Sequence, residues 1–223
     1  MLDTSAPSTR RLRPPGRRSF AAALCCSALL TALASGANAV CDLPLTEALQ
    51  RGEARFIVLR HEKKGPDRRP ALPAEISDCQ RRFRGRENQD FRVLLQEDAV
   101  HDAARTRAGL DAHATLAPIL FHSRYCRSLE TALAMLGPEE RLVEIAALDL
   151  YTGNLESALA EAARVLDEAG IETPAVLITH KDRFGDLGLA EPVQGAGYVI
   201  SGSGTCLATV DPADAADPGA PRR

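Results

Sequence analysis

A layered α/β domain built on a largely parallel sheet is what this sequence predicts, on three observations. Two short β-branched apolar runs, residues 55–59 (RFIVL) and 175–179 (AVLIT), have the composition of strands buried on both faces, as in a parallel sheet. Between them strand-like and helix-like stretches alternate, an order that calls for right-handed crossovers. The 223-residue chain carries 27 basic and 30 acidic residues, with 45% hydrophobic and 26% charged. That balance excludes a disordered polyelectrolyte and a disulfide-packed miniprotein.

In chain order, residues 1–39 have the make-up of an export signal. Arg10, Arg11, Arg13, Arg17 and Arg18 precede residues 20–34, apolar apart from Ser27 and Thr31, and Ala37-Asn38-Ala39 offers the small residues that signal peptidase needs. The run Arg17-Arg18-Ser19-Phe20 resembles a twin-arginine signal. Residues 20–34 fall short of the roughly 20 apolar residues that span a bilayer, so no stable membrane anchor is expected after cleavage. Lipid attachment at Cys41 is a further alternative, which the bulky Val40 before it fits poorly. Without the signal, residues 40–223 hold 22 basic and 29 acidic residues. Such an acidic domain speaks against nucleic-acid binding through a basic surface, and a periplasmic or secreted location is expected.

Export also changes how the cysteines are read. Cys25 and Cys26 leave with the signal, and Cys41, Cys79, Cys126 and Cys206 remain, an even set that suggests two disulfides in an oxidising compartment. Three connectivities are possible and the sequence alone does not choose among them; Cys79 with Cys126 and Cys41 with Cys206 is the preferred pair. No Cys-x-x-Cys or His-Glu-x-x-His spacing marks a metal site.

Within the domain, residues 55–59 and 175–179 are strands ending in Arg60-His61 and His180. Between them lie a polar, Arg-rich stretch (62–92), a helical pattern (98–114), a strand (118–121), a helix (128–136), a strand (142–146) and a strong helix (155–169) with Asn154 to cap it and Gly170 to end it. Residues 197–201 and 205–210 flank Gly202-Ser203-Gly204 as a closing hairpin, and the Ala-, Pro- and Asp-rich tail 211–223 is expected to be disordered.

Ligands in an open α/β sheet sit beyond the carboxyl ends of the strands, where Arg60, His61 and His180 fall. Arg127, near the start of a helix after the 118–121 strand, adds a guanidinium beside a helix N-terminus. Two Arg, two His and a helix end suit a phosphoryl group, with one imidazole free to attack phosphorus. His122 is a candidate beside this site, whereas His101 and His113 read as solvated. Arg81, Arg82, Arg84 and Arg86 could steer a polyanion or simply form a solvated loop. Arg124 could face the pocket or pair with a nearby acid.

The strand-Arg-His start (residues 56–61), the element Ser123-x-x-x-Arg127-x-x-x-Thr131-Ala132, and the later strand-Thr-His (residues 176–180) together resemble the histidine phosphatase, or phosphoglycerate mutase-like, superfamily. Asp78-Cys79 and Cys126 resemble an exported bacterial branch of it. The likeness runs from about residue 55 to 210 and implies a three-layer α/β/α sandwich with a mostly parallel central sheet. It implies that His61 forms a phosphohistidine intermediate while Arg60, Arg127 and His180 hold the phosphoryl oxygens of a small phosphomonoester; Arg124 is a further substrate-binding candidate. No metal and no cofactor are implied. Two departures stand out. Glu62 follows His61 where the family usually has Gly or Ala, and it either crowds the anion pocket, points away, or pairs with a cation. The general acid has no clear motif; Glu144, Asp149, Glu156 and Asp182 are the candidates. A degenerate member that binds a phosphorylated ligand or envelope component without turnover is the alternative reading.

Overall fold

The structure, a computed structural model, describes residues 41–65, 72–85 and 89–212. The predicted export signal, Arg86 and the predicted disordered tail beyond residue 212 lie outside the described residues. Six strands form one sheet: β1 (Ala54–Arg60), β2 (Ile119–His122), β3 (Arg141–Glu144), β4 (Ala175–Thr179), β5 (Gly197–Ser201) and β6 (Cys206–Val210). Their spatial order is β3-β2-β4-β1-β5-β6. The pairings from β3 through β1 are parallel, and those of β1 with β5 and β5 with β6 are antiparallel.

Because successive strand residues point to opposite faces, a run that is apolar throughout needs helices on both sides. Phe56 and Val58 of β1, with Phe121 and Leu177, pack under α5 (Leu155–Glu168) through its Leu155, Leu159, Ala162 and Leu166. Ile57 and Leu59, with Leu120, Val176 and Ile178, pack against α1 (Leu45–Gln50), α3 (Glu97–Asp111) and α4 (Cys126–Met135) on the other face. This is the expected three-layer sandwich. Going from β1 out to β2 and β3 places α3 and α4 on one face, and the return from β3 to β4 places α5 on the other, as right-handed crossovers require. The connections leaving β1 and β4 run to opposite faces of the sheet, and the carboxyl ends of such an adjacent pair are where open α/β sheets place their ligands.

The α5 boundaries follow from local chemistry. Asn154 Oδ1 accepts from Ser157 N–H at 2.9 Å, and Gly170 adopts φ +66°, the left-handed turn that ends the helix at low steric cost. The predicted hairpin is also present as β5 and β6.

Two stretches differ from expectation. The predicted strand 142–146 is the shorter edge strand β3, and Ala146–Leu148 turns into a 3₁₀ segment. The Arg-rich stretch 62–92 is not irregular throughout. It contains α2 (Ala74–Arg82) and a 3₁₀ turn at Asp90–Arg92, and Lys64 bridges to Leu95. α2 has little apolar surface, burying Ile76 and Cys79. What fixes it is covalent: Cys79 is disulfide-bonded to Cys126, the first residue of α4, at a Cα separation of 5.8 Å. The second disulfide, Cys41–Cys206, fastens the segment before α1 to β6 at a Cα separation of 5.2 Å. Cys41 is thereby engaged as a cystine, which is incompatible with lipid attachment at its sulfur. No helix among the described residues is long and apolar enough to cross a membrane.

Candidate active site

Backbone pairing brings the two histidines together. Arg60 lies opposite Thr179 in the β1·β4 ladder, and His61 N–H donates to Thr179 O at 3.0 Å, so His61 and His180 leave neighbouring strands at one level. Their ring centroids are 5.1 Å apart. Arg127, in the first turn of α4, reaches both: Nε donates to His61 Nε2 at 3.1 Å and Nη2 to His180 Nδ1 at 3.5 Å.

These contacts set the tautomers. A guanidinium has donors and no acceptor, so His61 Nε2 and His180 Nδ1 must each present a lone pair. The proton of His61 then sits on Nδ1, which donates to Glu62 O at 2.7 Å, and that of His180 on Nε2, which donates to Ser123 Oγ at 2.9 Å. Both rings are neutral. Burial, followed by the positive charge of Arg127, lowers His61 to about 3, with Arg60 and Lys64 adding to the effect. Burial and the neighbouring His61 and Arg127 depress His180 further.

Arg60 donates from Nη1 to Pro192 O at 2.9 Å, while its Nε is buried without a hydrogen-bond partner among the described residues. A buried donor left open in this way calls for an acceptor. Arg124 resolves the other way: its backbone N–H donates to Asp149 Oδ1 at 2.9 Å and its Nε to Oδ2 at 2.6 Å. It pairs with an acid, as one of the two expectations had it.

The site is covered. His61 is 4% exposed, and His180 and Arg127 are each 1% exposed. The cover comes from the Asp90–Arg92 turn, whose residues carried no signal in the sequence. Asp90 O accepts from Arg127 Nη1 at 2.7 Å, its carboxylate lies 3.4 Å from both Nη1 and Nη2, and Lys64 Nζ stands 3.9 Å away. Phe91 stacks on Tyr125 at a centroid separation of 4.0 Å, and Phe83 stacks on Phe91 at 4.7 Å. Tyr125 meets His180 edge-on at 4.5 Å and lies under the Arg127 guanidinium, also at 4.5 Å. Burial pushes its phenol up to about 12.

None of the four candidate acids is free beside the imidazoles. Glu144 is held by Arg82 through two bonds of 2.6 and 2.8 Å, and Asp149 by Arg124. Asp182 is near Lys181 at 3.9 Å on an exposed turn, and Glu156 lines a groove of about 360 Å³ between α5 and the Gly202–Gly204 turn. Asp90, the carboxylate that touches Arg127, is committed to that arginine and to Lys64. Glu62 does not crowd the guanidinium. Its side chain is buried against Gly195, whose φ of +76° and lack of Cβ make the room, since a Cβ there would stand 2.3 Å from Glu62 Oε1. Burial, then the facing Asp102 of α3, raise Glu62 to about 7, opposed by the Lys63 backbone N–H and by Arg105.

His122, at the end of β2, is buried with Nδ1 bound to Ser123 O at 2.8 Å, and burial lowers it. His101 is exposed on α3, and His113 Nδ1 contacts Thr46 Oγ1 at 3.2 Å. Arg81 pairs with Asp78 and Arg82 with Glu144, so half of the arginine cluster is spent on structure and Arg84 is exposed. No group of three or more His, Cys, Asp or Glu that could hold a metal occurs among the described residues.

No protein-family model and no curated protein matches the chain. Among solved structures, the protein histidine phosphatase SixA complexed with tungstate matches with a TM-score of 0.50 at 15% identity, over 71% of this chain and 97% of that one. Structures described as phosphohistidine phosphatase SixA from Agrobacterium tumefaciens and Nakamurella multipartitia give TM-scores of 0.46 and 0.45, at 16% and 19% identity. They cover 71% and 73% of this chain and 99% and 90% of theirs. At such identities the likeness is one of fold. The chain has a mixed α/β fold, with a mostly parallel six-stranded sheet between helices, similar to the histidine phosphatase fold.

Proposed function

We propose that this protein is an exported phosphatase that hydrolyses its substrate through a phosphohistidine at His61. The observation that carries the reading is the single guanidinium of Arg127 meeting the lone pairs of both His61 and His180, with the buried open donor of Arg60 on the residue before His61. A phosphoryl group supplies the acceptors these donors lack. Its oxygens accept from Arg127 and Arg60 and, once Nδ1 has taken up a proton, from His180, while Arg127 gives up the His61 and His180 lone pairs. His61 Nε2 then attacks phosphorus in line. The N–P bond forms as the bond to the leaving group breaks, and the departing atom takes a proton from solvent water. Water next attacks phosphorus, the N–P bond breaks, and inorganic phosphate leaves with His61 neutral again.

The absence of a free carboxylate at the imidazoles, among the described residues, favours substrates whose leaving group departs without an enzymatic acid. Phosphoramidates such as phosphohistidine meet that condition, and protein histidine phosphatase is the activity named for the SixA structure. The two disulfides fit an oxidising compartment, in keeping with the predicted export signal.

Purified protein offered p-nitrophenyl phosphate, a phosphohistidine peptide and glycerol phosphate between pH 4 and 8, beside a His61→Ala control, tests the proposal. Turnover of the first two over the third, lost in the control, is expected. No turnover of any substrate, or undiminished turnover in the control, overturns it.

A further inference from the structure

Thr131 belongs to the Ser-x-x-x-Arg-x-x-x-Thr-Ala element, yet the chemistry above gives it no part. It is buried, one turn after Arg127 on α4. Its Oγ1 donates to Arg127 O at 2.9 Å, a back-bond that many helical threonines make for reasons of packing alone. The same oxygen also accepts from Glu62 N–H at 3.2 Å, across 69 residues of sequence. Glu62 O is in turn the acceptor for His61 Nδ1–H. One hydroxyl thus joins the backbone N–H of Glu62, the residue whose carbonyl fixes the His61 ring, to the carbonyl of the arginine that meets the opposite nitrogen of that ring.

We infer that Thr131 is a positioning residue that holds the lone pair of His61 Nε2 in register with the Arg127 guanidinium. The inference rests on His61 being the nucleophile. Without the hydroxyl, the buried Glu62 N–H has no acceptor, and its peptide is free to turn until it finds one. The displacement passes through the Glu62 Cα to the next peptide, whose carbonyl then lets go of Nδ1–H, and the tautomer that exposes Nε2 is lost with it. Arg127 keeps its contacts to Asp90, so α4 and the cover stay in place while the imidazole loses its register. The side chain of Glu62 plays no part in this relay; its two backbone groups do.

The test compares Thr131→Val, which keeps shape and loses the hydroxyl, with Thr131→Ser, which keeps the hydroxyl. In Thr131→Val, kcat is expected to fall by about 10- to 100-fold, the scale on which small misplacements of a reacting group act, with little change in KM. Thr131→Ser is expected to restore kcat to within about 3-fold of wild type by renewing the bridge. Histidine ¹⁵N spectra give a second readout that needs no turnover. Wild type and Thr131→Ser should show His61 as a single Nδ1–H tautomer, and Thr131→Val a shift toward a mixture. A purely structural role would lower Tm in both variants and leave the tautomer alone. Equal activity losses in the two variants, or an unchanged tautomer in Thr131→Val, overturn the inference. Thr131→Ala serves the same purpose if valine does not fold. A wild-type protein with no turnover would refute the phosphatase reading while the spectra still decide the role of Thr131.

Discussion

The strand ends that carry His61 and His180 and the segment that covers them are held by different physics. The ends of β1 and β4 are locked by a parallel ladder with apolar packing on both faces, so the two imidazoles have little freedom. The cover, α2 and the Asp90–Arg92 turn, buries few apolar side chains. It is held by one disulfide, an aromatic stack and ion pairs. The difference assigns their tasks. The rigid half sets up charge and tautomer, and the tethered half lies over it, Asp90 against Arg127 and Phe91 against Tyr125.

The largest effect falls on the rigid half. His61→Ala is expected to lower kcat/KM by about three orders of magnitude or more, measured with p-nitrophenyl phosphate, with Tm close to wild type. Next comes the tether. Replacing both Cys79 and Cys126 by Ala removes a link across 47 residues and should cost about 3 kcal/mol, or a Tm drop of about 6–12 °C by calorimetry. If Tm were unchanged, the cover would owe its place to its other contacts.

A smaller effect of opposite sign is expected at Asp90. Its carboxylate occupies the end of the Arg127 guanidinium and faces Lys64, so it competes with an incoming anion. Asp90→Ala should tighten tungstate or vanadate binding by about 3- to 10-fold in titration calorimetry, the scale of one partly exposed ion pair. Weaker binding would mean that Asp90 supports the arginine more than it blocks it.

Glu62 gives a change that depends on pH. Its folded carboxyl, raised from 4.5 to about 7, keeps a proton that the unfolded chain has lost, so stability falls as pH rises through that interval. Glu62→Gln should therefore be more stable than wild type at pH 8, by about 3 kcal/mol, and no more stable at pH 4. A denaturant titration at the two pH values reads this directly.

The same division explains what the sequence disclosed. Where the chain spells its environment locally, the reading holds: the apolar runs of β1 and β4, the Asn154 cap, the Gly170 stop and the Gly202–Gly204 hairpin all carry their own signals. α2 did not, because Ala74–Arg82 is charged at most of its exposed positions and its fixed points, Cys126 and Glu144, lie far along the chain. Asp90 was invisible for the same reason: one acid in a polar stretch acquires meaning only when folding sets it against Arg127, 37 residues on. Arg124 and Asp149 were both noticed, but their bond, which removes each from consideration as a free group, is a tertiary fact.

The central claim is that His61 becomes phosphorylated. Mixing enzyme with p-nitrophenyl phosphate, quenching in base within milliseconds and mapping the peptides by mass spectrometry tests it most directly. A base-stable, acid-labile phosphoryl group on His61, absent from His61→Ala, is the predicted result. Turnover with no phosphoenzyme, or with the phosphoryl group on another residue, would contradict it.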